Sequence, residues 1–329
     1  MINPQAKLSP EIFNKDIKQV PTRDGFGEGL MMAGEFDPNV VVLCADITES
    51  TRASLFRDKF PGRFIEVGVA EPNMAGIAVG LALSGKIPFI ASYATFSPGR
   101  NWEQIRTFIA YSNANVNIAG AHAGISVGPD GATHQATEDI AIMRVLPKMR
   151  VFVPCDAIET KKATVTAAKI WGPDYIRFAR DKTPVFTTEE TPFIPGKAEI
   201  FWESSKPKCL IIGAGPLLYN ALVAARDLGK EGISTIVLNS HTLKPLDEKI
   251  IIELAKKCRA VVTVEEHQVS AGLGGAVAEV LAKHCPTPME FIGMQDTFGE
   301  SGSPAQLIEK YGMGIKDIKE AVEKVIKKR

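Results

Sequence analysis

Short apolar runs alternate with helix-like stretches along most of this chain. Strands are predicted at Val40–Ala45, Phe64–Val67, Pro88–Ser92, Val116–Ala121, Arg150–Val153 and Tyr175–Phe178. Between them, helices are predicted over Thr22–Phe36, Glu71–Ser84, Trp102–Ser112, Glu138–Val145 and Ala157–Lys169. Such alternation predicts α/β layers around a mainly parallel sheet. From Asp181 to Pro207 the composition turns rich in Pro, Thr and Glu and the periodicity breaks, which reads as a linker with a small hairpin. A second alternation follows. Its strands are predicted at Cys209–Gly213, Ser234–Asn239, Ala260–Glu265 and Met289–Ile292. Its helices are predicted over Leu217–Leu228, Asp247–Lys257, Gly274–His284, Pro304–Tyr311 and Ile315–Lys327. The expected organisation is two α/β domains, 1–185 and a smaller 207–329, joined by residues 186–206.

Composition narrows the classes. The 329 residues are 45% hydrophobic and 23% charged, with zero formal net charge, an ordinary globular balance. No basic patch dominates, which argues against nucleic acid as a partner. The basic tail KDIKEAVEKVIKKR reads as a solvated last turn whose cations suit a helix C-terminus. The five cysteines, Cys44, Cys155, Cys209, Cys258 and Cys285, are widely spaced and form no CxxC. That supports neither a zinc site nor a disulfide framework and fits a reducing, cytoplasmic setting. The N-terminus lacks a signal-peptide core, and no uninterrupted apolar run is long enough to predict a membrane span.

Two segments carry chemistry. Ala121–Asp139, AHAGISVGPDGATHQATED, sets His122, Asp130 and His134 among three glycines, between an apolar strand and a helix. Glycine lets backbone approach a ligand closely, and His and Asp move or anchor protons near neutral pH. Phe64–Gly85, FIEVGVAEPNMAGIAVGLALSG, places Glu71 at a helix N-terminus directly after a strand, where open α/β sheets bind ligands. Read alone, the loop is equally an ordinary polar surface loop, and Glu71 equally a complement to the helix dipole.

Taken together, VGVAEPNMAGIAVGLALSG, YATF (Tyr93–Phe96), AHAGISVGPDGATHQ, VPCDAIET and IRFARD, in this order and spacing, resemble the pyrimidine-binding domain of transketolases. Residues from about Cys209 onward resemble that family's C-terminal domain. The resemblance implies a thiamine-diphosphate enzyme that transfers a two-carbon ketol unit from a ketose phosphate to an aldose phosphate. Glu71 matches the glutamate that hydrogen-bonds the aminopyrimidine ring, stabilising the imino tautomer that takes the thiazolium C2 proton. Phe96 matches an aromatic packed on that ring, and Trp102 falls where another aromatic is often found. Without the match, both read as core aromatics. At Gly99, where some members carry an aromatic, this chain has none and Pro98 precedes it, so the pocket is expected to differ in shape there. His134 matches the histidine that handles substrate hydroxyl protons, and Asp130 the aspartate that binds the donor's hydroxyl. His122, Arg180, Arg23 and Ser50 match a clamp on the sugar phosphate. Arginine suits that task through bidentate charge-assisted hydrogen bonds, whereas lone arginines otherwise read as surface ion pairs. Asp46 falls near the cofactor, in a structural or interfacial position.

A complete transketolase also carries a diphosphate-binding domain, marked by GDG and a later Asn that hold Mg²⁺. The string Pro129–Asp130–Gly131 lies inside the substrate loop and has no matching Asn downstream. This chain is therefore expected to be the C-terminal subunit of a split transketolase. A separate N-terminal subunit would supply the diphosphate and Mg²⁺ site, in a heterotetramer containing a dimer of this chain. Two relatives share parts of the pattern: 1-deoxyxylulose-5-phosphate synthase, which has a GxDGxTHQ loop, and the β-subunit of 2-oxo-acid dehydrogenases, which lacks DGxTHQ. Gly213–Ala214–Gly215 is the start of a dinucleotide fingerprint, but Leu218 stands at its third glycine and no acid ends the next strand. It reads as a tight strand–helix turn. A silent interaction protein remains a third class, and retention of Glu71, Asp130 and His134 argues against it.

Overall fold

Two sheets organise the computed structural model, which describes residues 1–328. The strands in chain order are β1 (Gln19–Pro21), β2 (Val40–Cys44), β3 (Phe64–Glu66), β4 (Ile87–Tyr93), β5 (Asn117–Ala121), β6 (Arg150–Phe152) and β7 (Asp174–Arg177). They continue with β8 (Lys182–Pro184), β9 (Glu199–Trp202), β10 (Cys209–Gly213), β11 (Thr235–Asn239), β12 (Thr242–Lys244), β13 (Val261–Gln268) and β14 (Met289–Met294). The larger sheet has the order β12-β6-β7-β5-β4-β2-β3. All its pairings are parallel except that of β12. Every residue of β2 and of β5 is buried, as expected of strands covered on both faces.

Helices supply that cover. Phe26 and Leu30 from helix Thr22–Phe36 pack with Ala163 and Ala167 from helix Ala157–Lys169 against one face. The two helices meet closely: a Cβ on Gly25 would lie 1.9 Å from the Ala157 carbonyl oxygen. Asp156 caps the second helix, accepting from the Glu159 N–H at 2.9 Å. The other face is covered by Met74, Ala75 and Ala78 from helix Glu71–Leu83, Ile105 and Ile109, and Ile140 and Met143. The predicted helix Trp102–Ser112 is a single α turn, Trp102–Gln104, followed by a π-helical stretch, Ile105–Ala110.

The smaller sheet runs β14-β13-β10-β11-β9, parallel except at β9. Ala6, Ile12 and Ile17 pack into its core, so the start of the chain lies against the second unit. The composition break at Asp181–Pro207 is not a hairpin. Its strands β8 and β9 never pair with each other: β8 pairs with β1 and β9 with β11. Pro and Thr break periodicity whether the chain turns back or crosses between sheets, so composition does not identify the partner. The chain also returns to the first sheet through β12, which pairs antiparallel with β6. One core cluster consequently spans both units, from Val151 and Val153 to Leu210, Ile212 and Leu243. Gly213–Ala214–Gly215 is a strand–helix turn, with Gly215 at φ 71° and its N–H donating to the Val153 carbonyl at 3.1 Å.

Candidate active site

Parallel strands bring their carboxyl ends to one edge, and loops leaving that edge are where an α/β sheet binds ligands. The loops after β2, β4, β5 and β7 carry Ser50, Phe96, His122 with Asp130 and His134, and Arg180. Glu71 opens the helix that follows β3. Arg23 sits in the first turn of helix Thr22–Phe36.

An aromatic cluster forms the centre. Tyr93, the last residue of β4, stacks on His122 with centroids 4.1 Å apart and on Phe96 at 5.7 Å. The His134 ring meets Tyr93 at 6.2 Å and Phe96 at 5.6 Å, both edge-on. Thr133 Oγ1 lies 2.9 Å from His134 Nδ1. His122 takes φ 55° as the chain leaves β5, and its Nδ1 is buried with no partner among the described residues.

Glu71 is 1% exposed. Its Oε2 accepts from Arg100 Nη1 at 2.7 Å, and among the described residues its Oε1 has only a long contact, 3.4 Å, from Ser92 Oγ. The Arg100 guanidinium also lies over the Phe96 ring, 4.5 Å from its centroid. Asn101 fixes the start of the helix by donating Nδ2 to the Glu71 carbonyl at 3.2 Å. Gly99 has no room for a side chain: a Cβ there would lie 2.1 Å from the Thr95 carbonyl oxygen.

Guanidinium groups converge on His122. Arg23 Nη1 donates to the Ser50 carbonyl at 3.0 Å. Arg180 Nη1 donates to the Val127 carbonyl at 2.8 Å and to Asp130 Oδ1 at 3.2 Å. Arg52 holds Asp24 through Nε at 2.6 Å. Burial lowers the pKa of Arg23, repulsion from Arg52 and Arg180 lowers it further, and Asp24 opposes them. The His122 imidazole is pushed down to about 3, first by burial, then by Arg23, Arg180, His134 and Arg52. It is neutral near pH 7. A buried neutral imidazole ringed by cations, with Arg23 Nε also lacking a partner among the described residues, is suited to receive an anion.

The structure thus brings together Glu71, Phe96, His122, Asp130, His134, Arg180, Arg23 and Ser50 at one edge of the sheet. Two further predicted residues make contacts of their own. Trp102 packs on the main core and donates Nε1 to the Ile142 carbonyl at 2.7 Å. Asp46 is exposed at φ 61°, and its N–H donates to Glu66 Oε1 at 2.8 Å. Sequence reasoning missed Tyr93, Arg100 and Arg52 as site residues. Tyr93 lies within YATF, but a tyrosine closing an apolar strand is locally ordinary, and none of the three carried a local signal. Among the described residues, no group of three or more His, Cys, Asp or Glu side chains is placed to hold a metal ion, and no helix is long and apolar enough to cross a membrane.

Residues 18–185 match the family model for the transketolase pyrimidine binding domain, and residues 196–318 that for the transketolase C-terminal domain. A protein of Methanocaldococcus jannaschii described as a transketolase C-terminal section is 43% identical over 93% of this chain and 96% of its own length. A 6-deoxy-6-sulfo-D-fructose transketolase subunit of Clostridium sp. (strain MSTE9) is 38% identical over 93% of this chain and 95% of its own. The transketolase of Homo sapiens is 35% identical over 94% of this chain, which spans 50% of that protein. Among solved structures, a split gene transketolase described as an inactive beta4 tetramer superposes with a TM-score of 0.87 at 44% identity, covering 94% of this chain and 99% of the other.

Proposed function

Because this chain belongs to the transketolase family, as its C-terminal section, we propose that it forms one half of a thiamine-diphosphate-dependent ketol-transfer site acting on sugar phosphates. The observation that carries this reading is the buried Glu71 carboxylate beside Phe96, on the same sheet edge as the His122–arginine cluster. The residues present fit the aminopyrimidine end of the cofactor. Glu71 Oε1 is a buried acceptor with only a long hydrogen bond among the described residues, and Phe96 offers a ring for stacking. The diphosphate and Mg²⁺ would lie on a separate N-terminal chain. The helix Glu71–Leu83 leaves a face with Gly76 and Gly80 open, with nothing within 4 Å of a Cβ at either position, and Leu83 exposed, as such a contact requires. We place two copies of each chain in the assembly.

When bound, thiamine diphosphate would supply the carbon nucleophile for ketol transfer. Glu71 would hold the aminopyrimidine ring, with Arg100 keeping the carboxylate oriented. His134 takes the donor's hydroxyl proton as the carbon–carbon bond breaks, while Asp130 orients that hydroxyl. Arg23 and Arg180, with His122 and the Ser50 turn, hold the sugar's anionic end. A phosphate monoester carries up to two charges and a sulfonate one, so the cluster of cations favours a phosphorylated donor. Titration calorimetry with thiamine diphosphate, on the chain alone and mixed with a candidate diphosphate-binding chain, tests the division of the site. Binding that needs both chains and weakens in Glu71→Ala is expected. Tight binding to this chain alone would contradict it.

A further inference from the structure

The loop Ile125–Gln135 carries Asp130 and His134, yet several of its anchors come from the second unit. Glu266, near the end of β13, is 3% exposed, and its Oε1 accepts the Ser126 N–H at 2.5 Å. The carboxylate sits so close that a Cβ on Gly124, already at φ 87°, would lie 2.3 Å from it. At the other end, Gln135 Nε2 donates to the Glu300 carbonyl at 2.9 Å, and to the loop's own Ile125 and Gly128 carbonyls at 3.2 and 3.4 Å. Between these ends, Ser301 and Pro304 press on the turn. A Cβ on Gly131 would lie 2.7 Å from Ser301 Oγ, and one on Gly128 3.1 Å from Pro304 Cδ. Arg177, at the end of β7, ties Glu266 to the first sheet. It donates Nη2 to the Glu266 carbonyl at 2.7 Å and Nε to Asp139 at 2.8 Å.

This loop, with Gly128 and Gly131 at positive φ and Gly124 at positive φ just before it, loses much conformational freedom on ordering, of the order of 1 kcal/mol per residue. Reacting groups must nevertheless be held to within about half an ångström to be effective. The first unit supplies part of that restraint: Arg180 holds Val127 and Asp130, Tyr93 and Phe96 meet the His134 ring, the Gly124 N–H donates to the Ala136 carbonyl, and short turns bond Gly131 to Gly128 and His134 to Gly131. The Ser126 N–H and the Gln135 amide are tied to the second unit. We propose that the second unit is a clamp on the reaction loop, with Glu266 and the 299–304 segment as positioning elements that fix Asp130 and His134 against Tyr93, Phe96 and Arg180. This rests on the assignment of Asp130 and His134 to substrate made above.

Hydrogen exchange of the full chain reads the clamp without any turnover. In Gly299→Ala the new methyl would stand 2.0 Å from Gln135 Oε1, so the amide must shift from its place among its carbonyl partners. Glu266→Ala removes the acceptor of the Ser126 N–H; Gly299→Ala, at a half-buried position, keeps the test open if that variant unfolds. Exchange at Ser126, Gly131 and His134 is expected to quicken roughly tenfold or more, with β2 and β4 unchanged. In the complex with the diphosphate-binding chain, kcat/KM for the ketose donor should fall roughly 10- to 100-fold, with thiamine diphosphate affinity unaltered. Glu266→Gln, which retains an oxygen for Ser126, should preserve both. Unchanged exchange in both variants overturns the clamp whatever the kinetics. Faster exchange with unaltered donor kinetics overturns the substrate role of the loop, and with it the catalytic part of this proposal.

Discussion

Arg23→Ala separates the anion clamp from the rest of the fold. Arg23 stands in repulsion with Arg52 and Arg180, relieved by Asp24, and among the described residues its guanidinium bonds only the Ser50 carbonyl. Its removal is therefore expected to change stability by less than about 1 kcal/mol. An anion changes the balance. Two charge-assisted hydrogen bonds, from Arg23 and Arg180, are worth about 4 kcal/mol together, which corresponds to a Kd of roughly 1 mM. At about 50 mM inorganic phosphate, the linkage relation then gives about 2 kcal/mol of added stability. For 329 residues that amounts to a rise in Tm of roughly 3 °C. Thermal unfolding by circular dichroism, with phosphate titrated at constant ionic strength, measures it. Phosphate also stabilises proteins by exclusion from their surface, and the difference between wild type and variant removes that part. Most of the specific shift should vanish in Arg23→Ala and again in Arg180→Ala. An equal shift in all three proteins would refute an anion site built on these residues.

Further perturbations address other parts of the account. Glu71→Ala should lower turnover of the two-chain complex by on the order of 10²–10⁴, the usual range for a lost acid–base function; near-wild-type turnover in a steady-state assay would remove the assignment. Arg177→Met leaves Asp139 buried with only the Tyr175 hydroxyl, at 2.7 Å, and should cost about 3–5 kcal/mol in a urea unfolding curve. His241 is buried, stacked on Phe193 at 4.3 Å, and its pKa is pushed down to about 3 by burial. Its folded pKa lies below the unfolded value, so the unfolded chain takes up a proton first, and stability falls as the pH drops below about 6.5 toward 3. Between pH 6.5 and 5 that loss is about 2 kcal/mol, and His241→Phe, which keeps the stacking, should flatten the slope of stability against pH by that amount.

The α/β class was legible because both faces of each sheet are covered, so the central strands read as unbroken apolar runs. Val40–Cys44 and Cys209–Gly213 are buried at every position and stand out for that reason. Strands β1 (QVP), β8 (KTP) and β12 (TLK) are three residues long and lie in no apolar run, so no pattern registers, whereas the equally short β3 and β6 sit in the runs Phe64–Val67 and Arg150–Val153. β12 therefore escaped notice, although it ties the second unit to the first sheet. The glycine-rich turns marked the site loops, because backbone that approaches a ligand or crosses at positive φ needs glycine. Tyr93 and Arg100 lacked such a mark. A tyrosine closing an apolar strand and an arginine in a polar turn are locally ordinary, and only the fold puts one against His122 and the other against Glu71. Trp102, spaced to suit a ring-binding role, also packs against the core and donates to the Ile142 carbonyl, a contact that no spacing announces. Glu266 lies 140 residues beyond the N–H it accepts, a distance over which no spacing rule operates.

The central claim, that this chain supplies one half of a ketol-transfer site, is tested most directly by one assay. The chain is mixed with a candidate diphosphate-binding chain, thiamine diphosphate and Mg²⁺, and aldose release from xylulose 5-phosphate is followed with and without an acceptor aldose. The account predicts transfer that requires both chains and disappears when either is left out. A stable complex that binds the cofactor but releases no aldose from any ketose phosphate would contradict it.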